Sequence, residues 1–172
     1  MEELQLRRVV PYTTRPIRSG ETEGESYFFC SEERVAEFER EGKIIELRAY
    51  DTMYGVWKYF TADDGQIVLA ESDYLMIGTL EAYEQIRAYF GAEHVCPIYV
   101  EVDDGVRLQR ALERGTVTGA PKSMRKCVAD FWQTSRIFQR KILKKGRDTK
   151  HFLNKDLDQV TQEIASYIDN KY

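Results

Sequence analysis

Apolar residues recur along the chain in short blocks separated by polar and glycine-bearing stretches, and the blocks alternate between two periods. Val35 and Phe38 share one helical face between Ser31, which suits an N-cap, and Gly42, which suits the C′ position; a helix to about Glu41 is expected there. Leu80, Tyr83, Ile86 and Phe90 repeat at helical spacing after Thr79 and stop at Gly91. Leu157, Val160, Ile164 and Ile168 mark a closing helix over Asp156 to Asp169. Val106 to Arg114 and Lys122 to Lys145 also read as helical, the second with poor periodicity. Strands are expected at Arg7–Tyr12, Phe28–Phe29, Lys43–Tyr50, Tyr74–Ile77, Ile98–Val100 and Phe152–Leu153. Tyr54-Gly55 marks a turn. Thr61 followed by Asp63 and Asp64 reads as the start of a further helix, with Gly65 inside it. Strands alternating with helices predict an α/β fold with a mainly parallel sheet and helices on both faces.

Composition narrows this picture only a little. The chain has 172 residues, 42% of them hydrophobic and 31% charged, so a single globular domain over 1–172 is expected. No apolar run reaches membrane-spanning length and no signal-peptide pattern opens the sequence, so a cytoplasmic protein is expected. Cys30, Cys96 and Cys127 are far apart and lack CxxC spacing, which argues for free thiols over a disulfide framework or a zinc site. The net charge of −4 conceals an island: residues 115–150 hold ten lysines and arginines against two acids. That island lacks aromatic interleaving and any nucleic-acid motif, so nucleic acid is not the expected partner.

The candidate chemistry gathers in one stretch, Tyr12 to Phe29. Arg15 and Arg18 flank Pro16, which blocks a helix, and Gly20 and Gly24 follow before the apolar run Tyr27-Phe28-Phe29. Two guanidinium groups and a phenol on one shaped loop suit a phosphate dianion, because each guanidinium presents paired N–H donors and Tyr27 adds a hydroxyl.

The string TTRPIRSGE with Gly24 and Tyr27-Phe28-Phe29, together with Lys43-Ile44-Ile45-Glu46, Tyr54-Gly55 and Asn154-Lys155-Asp156-Leu157-Asp158, resembles the guanylate kinase family. These nucleoside monophosphate kinases pass the γ-phosphate of ATP to GMP. The resemblance covers residues 7–114 and 150–172 and implies a P-loop NTPase-like fold, with GMP as substrate and ATP and Mg²⁺ as cofactors. It implies a GMP-binding subdomain at about 12–60 and a lid with its following helix at about 107–149. Carried over by residue, it implies that Arg15, Arg18, Tyr27 and Tyr54 hold the GMP phosphate. It makes Glu46 the guanine-reading carboxylate, places Thr79 where the family has an acid near the guanine and metal site, gives Arg110 and Arg114 the lid charges, and sets Asn154 near the adenine. The Glu46 role has a physical basis: guanine presents adjacent N1–H and N2–H₂ donors that one carboxylate accepts together, whereas adenine has no such pair.

Departures from the family pattern carry weight as well. Pro11 and Val56 stand where the family has small hydroxyl residues, and the stretch from Glu46 to Tyr54 is one residue shorter. No GxxxxGK[ST] phosphate loop occurs in the sequence, so the expectation is a truncated chain with an incomplete ATP site, inactive as recorded. Segment 115–149 is nearly all basic, whereas the family lid mixes both signs; a choice of codons exists for which a neighbouring frame gives a better amphipathic helix, so the alternatives are two compensating frame shifts and a genuine basic lid. The alternative to a kinase is a non-catalytic guanylate kinase-like module that grips a phosphorylated peptide or nucleotide with Arg15, Arg18 and Tyr27.

Overall fold

The computed structural model describes residues 6–117 and 150–170, without the side chains of 111 and 114–117. The expected helix over Lys122–Lys145 therefore lies outside the described residues. The chain forms two compact units, Met1–Val95 and Cys96–Tyr172.

The first unit is built on a four-stranded sheet of β2 (Tyr12–Thr13), β3 (Phe28–Phe29), β4 (Ile44–Thr52) and β5 (Gly55–Ala62), in the order β3-β2-β5-β4. β2 and β3 pair in parallel, while β5 runs antiparallel to both β2 and β4. The longest ladder is thus the antiparallel β4–β5 hairpin; the parallel pairings are short. β1 (Arg7–Arg8) pairs in parallel with β6 (Tyr74–Leu75), and the Val9 N–H extends that ladder to the Leu75 carbonyl at 3.1 Å.

Strand β5 corrects the expected helix after Thr61. Gly55 to Ala62 is rich in Val, Trp, Tyr, Phe and Thr, which pack well on a pleated surface. Thr61 and Ala62 end this strand, and Gly65 follows at φ 91°, a left-handed conformation incompatible with a helix interior. Asp64, expected to face a helix dipole, instead accepts the Tyr12 hydroxyl at 2.6 Å.

One face of the sheet makes the core. Phe60 and Ala62 of β5 pack with Val35 and Phe38 of helix α1 (Glu32–Arg40), and Tyr12, Cys30, Ile44 and Leu47 close around them. The Tyr12 ring lies 5.0 Å from Phe60, 5.1 Å from Phe28 and 5.2 Å from Phe38, centroid to centroid. Ser31 caps α1 by accepting the Arg34 N–H, and Glu32 and Glu33 face the positive end of the helix. Helix α2 (Leu80–Phe90) covers the outer edge of β4. The Gln85 amide accepts the Leu47 N–H at 3.2 Å, satisfying a strand edge that would otherwise stand open.

In the second unit, β7 (Ile98–Glu101) pairs in parallel with β8 (Lys150–Leu153). Helix α3 spans Asp104–Val117, and α4 spans Leu157–Asp169 with Asp156 as its N-cap. Phe152 is buried beside the Tyr167 ring, and Val160 is buried on α4.

Candidate nucleotide-binding site

The second face of the four-stranded sheet carries the candidate chemistry. Directly opposed residues of an antiparallel pair project to the same side. Thr13 and Arg48 both oppose Tyr59, Tyr50 opposes Trp57, and Glu46 opposes Thr61. The core residues Tyr12, Leu47 and Phe60 occupy the alternate positions and point the other way.

Glu46 reaches this face because of one irregularity. The ladder shifts between Ile44, opposite Ala62, and Glu46, opposite Thr61, so Ile45 is an extra residue in β4. With regular pairing Glu46 would oppose Phe60 and enter the core; the bulge returns it to the polar face. There Glu46 is fully buried, and its Oε1 accepts the Thr61 hydroxyl at 3.0 Å. Arg48 completes the arrangement: its Nε donates to Glu46 Oε2 at 2.9 Å and its Nη2 to Oε1 at 3.1 Å. Burial lowers the Arg48 guanidinium pKa, but the hydrogen bonds and charge of Glu46 outweigh this and the net direction is up.

Arg15 anchors the other end of the face. Its backbone N–H donates to the Thr13 hydroxyl at 3.2 Å, which in turn donates to the Lys58 carbonyl. The guanidinium is buried, with its carbon 5.2 Å from the ring centroids of both Tyr27 and Phe29. Nη1 and Nη2 grip the two oxygens of Glu21 at 2.7 and 2.6 Å, and Nη1 also donates to the Pro16 carbonyl. The Arg18 N–H adds a third donor to Glu21 at 2.8 Å. The Arg15 hydrogen bonds, followed by that from Arg18, hold the Glu21 carboxyl down to about 2; the same contact raises Arg15. A row of rings joins the two ends: Tyr27 lies 5.7 Å from Tyr59, and Tyr59 lies 5.7 Å from Tyr50.

The structure therefore brings Arg15, Tyr27 and Glu46 onto one face, with the exposed Arg18 on the adjoining loop. Tyr54 lies at the exposed tip of the β4–β5 hairpin, stacked on Trp57 at 6.1 Å. The Thr79 hydroxyl accepts the Ala82 N–H at 3.3 Å as the N-cap of α2. In the second unit Arg110 lies on α3, and the Asn154 N–H donates to the Glu101 carbonyl at 2.7 Å. The Oδ1 of Asn154 is buried without a hydrogen-bond donor among the described residues. The Arg114 side chain lies outside the described residues.

Sequence reasoning passed over Glu21 and Arg48. Arg48 was signalled by the period of two, which puts residues i and i+2 of a strand on one face. Glu21 carried no periodic signal, because its approach to Arg15 depends on the loop's path.

Comparison with known proteins finds similarity to guanylate kinases. The family model described as guanylate kinase matches residues 2–63, which contain the arginine loop, β4 and β5. The guanylate kinase of Wolbachia pipientis wMel is 25% identical over 170 residues, covering 96% of this chain and 77% of that protein. That of the Wolbachia of Brugia malayi is also 25% identical over 170 residues, covering 96% of this chain and 80% of its own. The guanylate kinase of Caldanaerobacter subterraneus subsp. tengcongensis is 36% identical over 76 residues, 42% of this chain and 37% of its own. The crystal structure of guanylate kinase from Anaplasma phagocytophilum covers 99% of this chain and 79% of that chain, with a TM-score of 0.60 and 20% identity, and shares the fold. These matches make the chain similar to guanylate kinases, by the family model over residues 2–63 and by sequence over 170 residues at 25% identity.

Proposed function

We propose that the polar face of the first unit binds GMP as the phosphate acceptor of a guanylate kinase-like phosphotransferase. The observation that carries this reading is the single sheet face that presents Arg15 and Tyr27 at one end and Glu46 at the other. Arg18 and the Arg15 cradle supply donors for the phosphate. Their fit to an anion is supported by Glu21, whose carboxylate already receives three N–H donors there. Glu46 supplies acceptors for the N1–H and N2–H₂ edge of the base. Tyr27 and Tyr59 bridge the ends with aromatic surface that would exclude water.

ATP and Mg²⁺ are the family's cofactors. Among the described residues no group of three His, Cys, Asp or Glu side chains could hold a metal ion, so no residue is assigned to Mg²⁺. The buried Oδ1 of Asn154 would accept an exocyclic amine such as that of adenine. What the described residues do is bind and orient the acceptor: the exposed Arg18 offers its phosphate a positive charge, Arg15 holds the loop in place through Glu21, and Glu46 fixes its base, so that positioning does most of the chemical work.

Calorimetric titration of the full chain with GMP and with ribose 5-phosphate tests this reading. Arg18→Ala is expected to weaken both ligands about tenfold, as loss of a charge-assisted contact worth about 1.5 kcal/mol would. Absence of GMP binding, or GMP binding indifferent to Arg18, would overturn it. A phosphopeptide bound through Arg18 by a chain that ignores GMP would favour the non-catalytic module.

A further inference from the structure

Resting on the reading of Glu46 as the base-reading carboxylate, we infer that Arg48 is a specificity-determining residue that pairs with this carboxylate and competes with the base for it. The geometry is that of a surrogate. Arg48 presents two adjacent N–H donors, Nε and Nη2, to the two oxygens of Glu46 at 2.9 and 3.1 Å. Guanine would present N1–H and N2–H₂ to the same pair of oxygens. The Thr61 hydroxyl takes a further position on Oε1. A carboxylate offers about four acceptor positions, so three are filled and a second two-donor edge has no place while Arg48 remains.

Burial makes the competition strict. Glu46 is 0% exposed and the Arg48 side chain 11% exposed, so the guanidinium is buried with the carboxylate as well as filling two of its acceptor positions. The pairing also explains how a carboxylate survives buried in the sheet: a buried charge without a partner is costly, and the bidentate guanidinium offsets that cost. The base must therefore displace a contact that stabilises the fold. Its apparent affinity falls by the fraction of molecules in which Arg48 has swung away. Ribose 5-phosphate engages the arginine loop and never meets Glu46, so Arg48 does not tax it. The balance between base and Arg48 then sets how far the protein prefers GMP over the bare sugar phosphate.

Titrating the wild-type chain, Arg48→Ala and Arg48→Lys with GMP and with ribose 5-phosphate tests the competition. Arg48→Ala is expected to tighten GMP at least about tenfold and to leave ribose 5-phosphate unchanged. Arg48→Lys should fall between, because an ammonium is a point charge and lacks the two-donor edge. In the wild-type chain, the Arg48 Nε–H nuclear magnetic resonance signal should move on saturation with GMP and stay in place with ribose 5-phosphate; this readout needs no variant to fold. GMP binding unchanged or weakened in Arg48→Ala, with ribose 5-phosphate still bound, would overturn the competition alone. An Nε–H signal unmoved by bound GMP would do the same. Failure of the wild-type chain to bind ribose 5-phosphate would instead overturn the phosphate site itself, and the inference with it.

Discussion

Glu21 closes a bidentate ion pair on Arg15, at 2.7 and 2.6 Å, and the loop between them is the one that carries Arg18. The pair fixes the loop's path before any ligand arrives. Its contribution to stability has a definite pH dependence. The Glu21 carboxyl drops from its ordinary 4.5 to about 2 in the folded protein, chiefly through the Arg15 hydrogen bonds. A carboxyl depressed by folding stabilises fully above its unfolded pKa and loses that contribution as pH falls through the folded one. Glu21→Gln should therefore lower stability equally at pH 7 and pH 5.5, and the gap to wild type should close between about 4.5 and about 2. Urea denaturation of both proteins across that range measures it. A gap that vanishes by pH 5.5 would contradict the pairing.

Phe38 ties α1 to the sheet. It is buried against Phe60 and Tyr12, the two rings on the core side of β5 and β2. Phe38→Ala should cost about 3–5 kcal/mol, read as a lowered denaturation midpoint. The core lies on the opposite face from Glu46 and Arg48, so ligand affinity in the folded fraction should change little. A loss of stability below about 1 kcal/mol would mean that α1 is not held through this contact.

Cys30 lies at the edge of the same core, and burial pushes its thiol up to about 11, with Glu32 adding to the shift. At pH 8 its thiolate fraction should be roughly a hundredfold below that of a thiol at the ordinary 9.0, since the shift spans two decades. Alkylation of the native chain followed by peptide mapping should leave Cys30 unmodified under conditions that label it fully in urea. Rapid labelling of native Cys30 would contradict its placement against α1.

Much of this was legible in the residues, and the gaps have physical causes. Helices α1, α2 and α4 follow from the caps Ser31, Thr79 and Asp156 and their apolar stripes, because cap chemistry and periodicity are local properties. The strand of Gly55–Ala62 was hidden because Thr61, Asp63 and Asp64 imitate a helix start. Their preference is outweighed by pairing on both sides of β5, which no local pattern reports. The resemblance pointed to Arg15 and Glu46 as site residues, and the structure places both on one sheet face. Glu21 was not legible, because its approach to Arg15 depends on a loop's path; the pairing of Arg48 with Glu46 was signalled by the period of two, but the bulge at Ile45 that decides which face Glu46 joins was not.

A sheet face that reads both ends of GMP would lose only the base contact when residue 46 changes. GMP and ribose 5-phosphate are titrated into the wild-type chain and Glu46→Gln under identical conditions. Glu46→Gln is expected to weaken GMP by about tenfold or more and to leave ribose 5-phosphate unchanged, because only the base would meet residue 46. Equal GMP affinity in the two proteins would contradict it, showing that the base is read elsewhere or not at all.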